Sequence, residues 1–270
     1  MTVNRAAGAV LAAAVREATE NGERLTSFGC RMTGEVPGSG RIDGEAAISV
    51  KPMAMRMTSP DQGSDGTLEM RVTGGALYMG GGKGAAKETD GRSWLKFDIS
   101  GPASQEAAAT NPLAGQADQN PAEQVTFLNG SKDHERVGEE TVEGEKTAHH
   151  KGTVTLDQIR ESYQDEDAAT RKRRDKNLSM YEGLGFDKLA VDLWIDQDDR
   201  TRRFRTRGAA DKGRFDLTMT FFDYDKPVTV RAPAAKDVVD PAQMMKGATS
   251  GLAPRRGPAR ADLPEADPVT

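Results

Sequence analysis

The chain is poor in the residues that build covalent cross-links. Cys30 is the single cysteine among 270 residues. An internal disulfide is therefore excluded, and so is a zinc or iron–sulfur site built on several cysteines. We expect Cys30 to lie on a strand as a small apolar residue.

Long apolar runs are also missing. No stretch approaches about 18 consecutive apolar residues, so no transmembrane helix is predicted. The most apolar N-terminal piece, AAGAVLAAAV, leads into the charged REATENGER and lacks a small-residue cleavage site, so it does not predict a secretory signal. LTSFGC, which ends at Cys30, superficially resembles a lipoprotein processing box. The charged residues before it exclude that interpretation, because such a box follows an apolar segment.

The chain has no excess of positive charge. It carries 37 Lys and Arg against 42 Asp and Glu, a formal net charge of -5. General nucleic-acid-binding proteins are usually basic, so we predict no nucleic-acid partner. Charged residues make up 29% and apolar residues 36%, which predicts solvated loops or tails beside a folded core.

The sequence also lacks recognisable catalytic and metal-binding motifs. GGGKG around Lys83 lacks the spacing of a phosphate-binding loop, and no G-x-S-x-G nucleophile motif occurs. His149 and His150 would point to opposite faces of one strand, which favours surface histidines on a polar strand over a metal site. The alternative is a metal site in which His134 pairs across the strands with His149 or His150. We predict no enzyme activity and no cofactor.

The stretch VDLWIDQDDRTRRFRTR (191–207) allows three interpretations: a metal site, a nucleic-acid stripe or a hairpin turn. A calcium loop starting at Asp196 would place Arg200 and Arg207 at ligand positions. The basic run lacks the interleaved aromatic residues of single-strand nucleic-acid sites. We therefore predict a turn over 197–200, with the arginines that follow on the outer face of the returning strand.

From about residue 25 the apolar residues recur with the two-residue period of strands that have one polar face. Helical patterns cover 4–20, 121–130 and parts of 157–184, where acidic and basic residues in the middle indicate a solvated face or a loop. The fold class is α+β: a long, strongly twisted antiparallel sheet with helices gathered on one face.

Methionine is abundant, with eleven residues. Met53, Met55 and Met57 share one side of a predicted strand, and other methionines continue the apolar faces of its neighbours. Methionine is flexible and suits a surface that accommodates variable apolar groups. Ordinary core filling is the alternative.

Three segments in a fixed order carry a family resemblance. They read EKTAHHKGTVTLDQI, LAVDLWIDQDDRTRRFR and LTMTFFDYDKPVTVRAPAAKDVVD. The chain thereby resembles the LppX/LprG-type lipoproteins of actinobacterial cell envelopes, within the LolA-like lipoprotein-carrier group, over roughly residues 5 to 240. His150 stands where the family usually has tyrosine, and the charged insert at 164–176 departs from the family pattern.

The resemblance implies a strongly curved antiparallel sheet, a half-barrel, with helices covering its concave face and an apolar cavity for acyl chains between them. It implies a single domain over 1–240, and we expect a flexible tail over 241–270. It implies a non-enzymatic, extracytoplasmic protein that carries or presents a lipid or glycolipid with long acyl chains. It also implies a membrane anchor on a lipidated cysteine absent from this sequence, so we expect the chain to be a mature portion without its signal peptide. An envelope sensor or regulatory interaction module on the same scaffold is the alternative.

The candidate lining of the cavity combines the apolar strand faces of both halves of the chain. It consists of Met32, Ile48, Val50, Met53, Met55, Met57, Leu68, Met70, Val72, Val191, Leu193, Ile195, Phe215, Leu217 and Met219.

Overall fold

A computed structural model describes residues 25–38, 40–60, 66–80, 93–100, 128, 131–210 and 213–240. The helix predicted over 4–20 and the tail predicted over 241–270 lie outside these residues, as does the helix predicted over 121–130 apart from Leu128. The domain boundaries at 1–240 therefore stay a prediction.

The described part contains twelve strands, two α-helices and a short 3₁₀ turn at Ala235–Asp237. The helices are α1 (Leu156–Glu161) and α2 (Ala168–Leu184). The strands are β1 (Ser27–Val36), β2 (Gly40–Ser49), β3 (Ala54–Pro60), β4 (Thr67–Thr73), β5 (Ala76–Gly80), β6 (Trp94–Asp98), β7 (Glu135–Val142), β8 (Glu145–Thr155), β9 (Lys188–Asp196), β10 (Thr201–Ala210), β11 (Gly213–Phe222) and β12 (Val238–Val239).

All twelve strands belong to one sheet, in the order β12-β6-β5-β4-β3-β2-β1-β11-β10-β9-β8-β7. Two antiparallel meanders, β1 to β6 and β7 to β11, are joined where β1 pairs with β11. Only β12 is parallel to its neighbour, β6, among these strands. The predicted antiparallel sheet is confirmed, whereas its covering by helices stays a prediction.

Local signals explain where the two helices begin and end. Thr155 and Gln158 form a capping box at the start of α1, each side chain accepting from the other's backbone N–H. The Asp167 carboxylate accepts from the backbone N–H of Thr170 in the first turn of α2. α2 ends at Leu184, and Gly185, which follows it, has the positive φ of +82° that is common just after a helix. Most of the charged insert at 164–176 is therefore helical.

The core lies on the side of the sheet where α2 packs. Tyr181 of α2 meets Phe215 of β11 edge-on, with ring centroids 5.7 Å apart. Phe186, just after α2, meets Phe215 at 5.4 Å. Phe204, Phe215 and Phe221 have fractional exposures of 1% or less, so these aromatic contacts are closed to water.

Residues 226–239 form a segment that we call the C-terminal strap, which crosses the opposite side of the sheet. The Ser27 hydroxyl donates to the carbonyl of Lys226 at 2.5 Å, and the Thr73 hydroxyl donates to that of Val230 at 3.3 Å. The strap ends as β12 on the edge of β6. It therefore ties β1, in the middle of the sheet, to its far edge.

The Phe215→Ala variant should lose about 3–5 kcal/mol of unfolding free energy, because the cavity left between β11 and α2 cannot refill. Urea denaturation followed by circular dichroism measures this loss. Phe97→Ala is the matched control, since Phe97 is also on a strand but is 40% exposed and should cost less than half as much. Equal losses in the two variants would contradict this description of the core.

Candidate functional site

One face of the sheet is apolar across nearly all strands. Side chains that alternate along each strand meet across the register, as Met32 does with Met219 and Met57 with Met70. This apolar face comprises Phe28, Cys30, Met32, Ala46, Ile48, Met55, Met57, Leu68, Met70, Val72, Leu77, Met79, Leu95, Phe97, Val154, Leu189, Val191, Leu193, Ile195, Phe204, Phe215, Leu217, Met219 and Phe221.

The part of the apolar face on β8 to β11 is filled by the chain's own side chains. Phe186 packs over Gly208, where an added Cβ would lie 2.8 Å from its ring. Leu128 packs in the same way over Gly152, at 3.1 Å. Both glycines therefore admit a large apolar neighbour close to the backbone. The rest of this cover consists of the buried Leu156, Ile159, Tyr163, Leu178 and Tyr181.

The part of the apolar face on β4 to β6 is open by comparison. Leu68 is 44% exposed, Met79 38% and Phe97 40%. We call this region the open patch; it consists of Leu68, Met70, Val72, Leu77, Met79, Leu95 and Phe97, which neighbour one another across the three strands. Contiguous apolar surface of this kind marks binding sites more often than single exposed residues do.

The structure separates the predicted lining residues into three groups. Met32, Ile48, Met55, Met57, Val191, Leu193, Ile195, Phe215 and Met219 are buried in the core. Val50, Met70, Val72 and Leu217 are half-buried, and Met53 and Leu68 are exposed.

The placement of Met53 is a correction to the sequence analysis. Met53 lies in the turn before β3, which begins at Ala54, and it is 45% exposed. The predicted set also omitted Leu77, Met79, Leu95 and Phe97 of the open patch. The same two-residue period in ALYMG and WLKFD could have identified them.

The opposite face, which we call the outer face, carries charged side chains in cross-strand ion pairs. Arg205 of β10 binds Asp216 of β11 through two hydrogen bonds of 2.7 and 2.8 Å. Hydrogen bonds from Arg205 hold the pKa of Asp216 below its ordinary value, although burial opposes this. Arg31 of β1 pairs with Glu45 of β2 in the same way. The sheet is therefore apolar on one face and ion-paired on the other.

The predicted hairpin turn over 197–200 is confirmed between β9 and β10. One carboxylate oxygen of Asp196 accepts hydrogen bonds from the backbone N–H groups of Asp198 and Arg200, both at 2.9 Å. Asp199 has a φ of +55°, which aspartate tolerates better than most residues. Asp196 also pairs with Arg202. The acidic cluster thus stabilises the turn, and the described residues contain no group of three or more metal-ligating side chains.

The prediction that His149 and His150 are surface histidines is wrong, since each is 8% exposed. His149 stacks on Trp194 with ring centroids 4.1 Å apart, and its Nε2 lies 3.0 Å from Asp192 Oδ1. His150 lies opposite Leu193 on the apolar face. The two histidines do point to opposite faces of β8, as predicted. Both faces are covered at this place, and that covering depends on the packing of distant segments.

Burial gives His150 an unusual titration. Desolvation, followed by the nearby positive charge of Arg136, lowers the pKa of His150 to about 4. The neutral imidazole is therefore the form that belongs to the folded chain at neutral pH.

No helix in the described ranges combines the length and the apolar character that crossing a bilayer requires.

Sequence comparison gives two relatives from Streptomyces, whereas no family model matches the chain. An uncharacterised 31.2 kDa protein from the rplA–rplJ intergenic region of Streptomyces griseus is 27% identical over 252 residues, which cover 92% of this chain and 81% of that protein. A predicted lipoprotein of Streptomyces coelicolor is 27% identical over 183 residues, which cover 64% of this chain. The match spans about half of that relative, 51% of its length.

Two solved structures share the fold. The Mycobacterium tuberculosis lipoprotein LppX superposes with a TM-score of 0.53 at 16% identity, covering 82% of this chain and 98% of LppX. LprF of Mycobacterium bovis superposes with a TM-score of 0.50 at 15% identity, covering 83% of this chain and 97% of LprF. The chain therefore has the fold of the LppX-type lipoproteins. The fold comparison confirms the resemblance to the LppX/LprG-type lipoproteins that was predicted from the sequence.

The stability of the fold should depend on the titration of His150. Its pKa is near 6.5 when unfolded and about 4 when folded, so between these values only the unfolded state gains the proton and stability falls as the pH falls. His150→Tyr, the residue usual in the resembling family, removes this contribution. Between pH 7 and pH 4.5 the unfolding free energy of the variant should fall by about 2 kcal/mol less than that of the wild type, as measured by urea denaturation. Parallel losses in both proteins would contradict the burial of a neutral His150.

Proposed function

We propose that the chain is a non-enzymatic cell-envelope lipoprotein that binds the acyl chains of a lipid or glycolipid along its apolar face. The observation that carries the proposal is the open patch. Its Met70 and Met79 continue, strand by strand, into the buried Met57. An acyl chain entering at the patch would thus find a continuous apolar path towards the core.

The energetics favour long chains over short ones. Each buried methylene contributes about 0.8 kcal/mol, so a chain of about ten buried methylenes supplies roughly 8 kcal/mol before ordering costs. Methionine side chains adapt to ligands of different shape because they are unbranched and flexible. Met57, Met70 and Met79 adjoin one another along this path, which suits an acyl chain whose position is not fixed by polar contacts.

We place the acyl chains over β2 to β6, with helices of the chain as the opposite wall. Ile48, Val50, Met55 and Val72, together with Met57 and Met70, are the proposed lining from the predicted set. Val191, Leu193 and Phe215 lie on the filled side, where the packing of Tyr181 on Phe215 supports a helix covering the sheet. These residues would close the end of the cavity.

An extracytoplasmic position, with a lipid anchor on a cysteine outside this sequence, is part of the proposal. It is supported by the lipoprotein description of the Streptomyces coelicolor relative and by the shared fold with the lipoprotein LppX. In that position, a protein with this apolar face would carry a lipid or present it to other envelope components.

The Met79→Glu variant should bind a fluorescent long-chain fatty acid at least about tenfold more weakly than the wild type. A carboxylate in the centre of the open patch would have to lose its water when the acyl chain covers it. Thr67→Glu is the matched control, since it adds the same charge at an exposed outer-face position of β4 and should leave binding unchanged.

Native mass spectrometry of the protein purified from an actinobacterial host provides the second measurement. A copurified lipid released by organic solvent supports the proposal. Absence of any lipid, together with no fatty-acid binding by the wild type, would refute it. Capture of a membrane protein in that case would favour the sensor or interaction module.

A further inference from the structure

A surface cavity of about 380 Å³ lies on the outer face of the sheet, away from the open patch. Arg56 of β3 and Arg71 of β4 line its floor, and Thr229, Val230 and Arg231 of the C-terminal strap line its wall. Its lining residues thus come from three separate elements that converge on one space.

The charges around this cavity are unbalanced. Glu69 accepts hydrogen bonds from Nε of both Arg56 and Arg71, at 2.7 and 2.8 Å. Arg231 has no ion pair among the described residues, and none of the lining residues is acidic. Three arginine residues therefore line the cavity, and the two on the strands share the single carboxylate of Glu69.

The strand register adds electrostatic repulsion to this imbalance of charge. Arg56 and Arg71 are directly opposite each other on β3 and β4, where like charges repel. Glu69 relieves part of the repulsion, because it lies beside both arginines and is itself only 16% exposed. A bound anion would relieve the remainder.

Three contacts hold the cavity in shape, two of them made by the Arg71 guanidinium. The Arg71 guanidinium lies over the Trp94 ring, 4.5 Å from the centroid, and donates through Nη1 to the backbone carbonyl of Arg231 at 3.0 Å. The Thr73 hydroxyl bonds the adjacent carbonyl of Val230. The strap is thus fixed against β4, and an arriving anion would meet donors already in position.

We propose that this cavity binds a phosphate group carried on a larger molecule. Guanidinium groups match phosphate oxygens with pairs of parallel hydrogen bonds, which makes arginine the preferred side chain for such sites. The cavity has the volume of roughly thirteen water molecules at about 30 Å³ each, so it can hold a phosphate together with part of the group attached to it. The phosphate belongs either to a phospholipid headgroup at the membrane surface or to a soluble phosphorylated compound.

The test compares Arg231→Gln with Arg41→Gln, two variants that remove one exposed positive charge each. Arg41 is the control because its side chain is 85% exposed and it lies six residues along β2 from Ala47, the register partner of Arg56. That separation is about 20 Å. Arg231 accepts a hydrogen bond from Arg71 through its backbone carbonyl, which glutamine keeps, so the substitution should leave folding intact.

Two probes distinguish the sources of the phosphate. Inorganic phosphate is titrated against the protein by NMR, and vesicles of phosphatidylcholine with and without phosphatidylglycerol are tested by flotation. We expect Arg231→Gln to weaken binding of at least one probe by about tenfold, and Arg41→Gln to leave it within about twofold. Phosphate binding in solution would indicate a soluble compound, and binding only to vesicles with phosphatidylglycerol a headgroup.

The proposal would be overturned by no binding of either probe, or by equal weakening in the two variants, which would indicate diffuse electrostatics. Met79→Glu serves as an independent check, because it lies on the other face and should leave phosphate binding unchanged. Failure of this site therefore leaves acyl-chain binding at the open patch untouched, and the reverse also holds.

Discussion

The pairing of β1 with β11 is the contact on which the rest of the sheet depends. It joins residues about 190 positions apart, since Cys30 lies opposite Phe221, and it unites the two meanders of the sheet. Phe28 meets Phe221 edge-on at 6.2 Å on the apolar side. The Asp225 carboxylate accepts from the backbone N–H of Thr26 just beyond the paired strands. Such a distant pairing carries a large loop-closure cost, which only the burial of the shared apolar face can offset.

The two-residue alternation of the strands then assigns different chemistry to the two faces. A shift of one residue would move Met32 and Met219 to the outer face and bring charged neighbours such as Arg31 into the core, so the register is strongly specified. The outer face consequently holds its charges in ion pairs, and Glu69 is shared by two arginines. The apolar face holds aromatic residues near α2 and methionines further away. One sheet can therefore offer an apolar ligand and an anionic ligand separate sites.

Much of this arrangement could be predicted from local patterns. The period of two identified most strands, and Asp198 and Asp199 between LAVDLWID and TRRFRTRG marked the hairpin turn. The burial of His149 and His150 could not be predicted, because it depends on Trp194 and on chain segments distant in sequence. Met53 was misplaced because a strand boundary one residue away decides whether a methionine enters the face or the turn. The period of two includes the omitted members of the open patch, but it could not predict that this part of the face is open, because periodicity shows which side chains share a face and not which segment covers them.

The sequence by itself determined the antiparallel sheet, the identity of its apolar face, the hairpin turns and the resemblance to a lipoprotein family. These properties follow from alternation and turn chemistry within short windows, where neighbouring residues act on one another directly. The tertiary structure alone decided which part of that face is filled and which is open. It also placed Arg231 of the strap beside Arg56 and Arg71. Both depend on contacts between segments far apart in the chain, because burial and uncompensated charge are properties of the packed molecule.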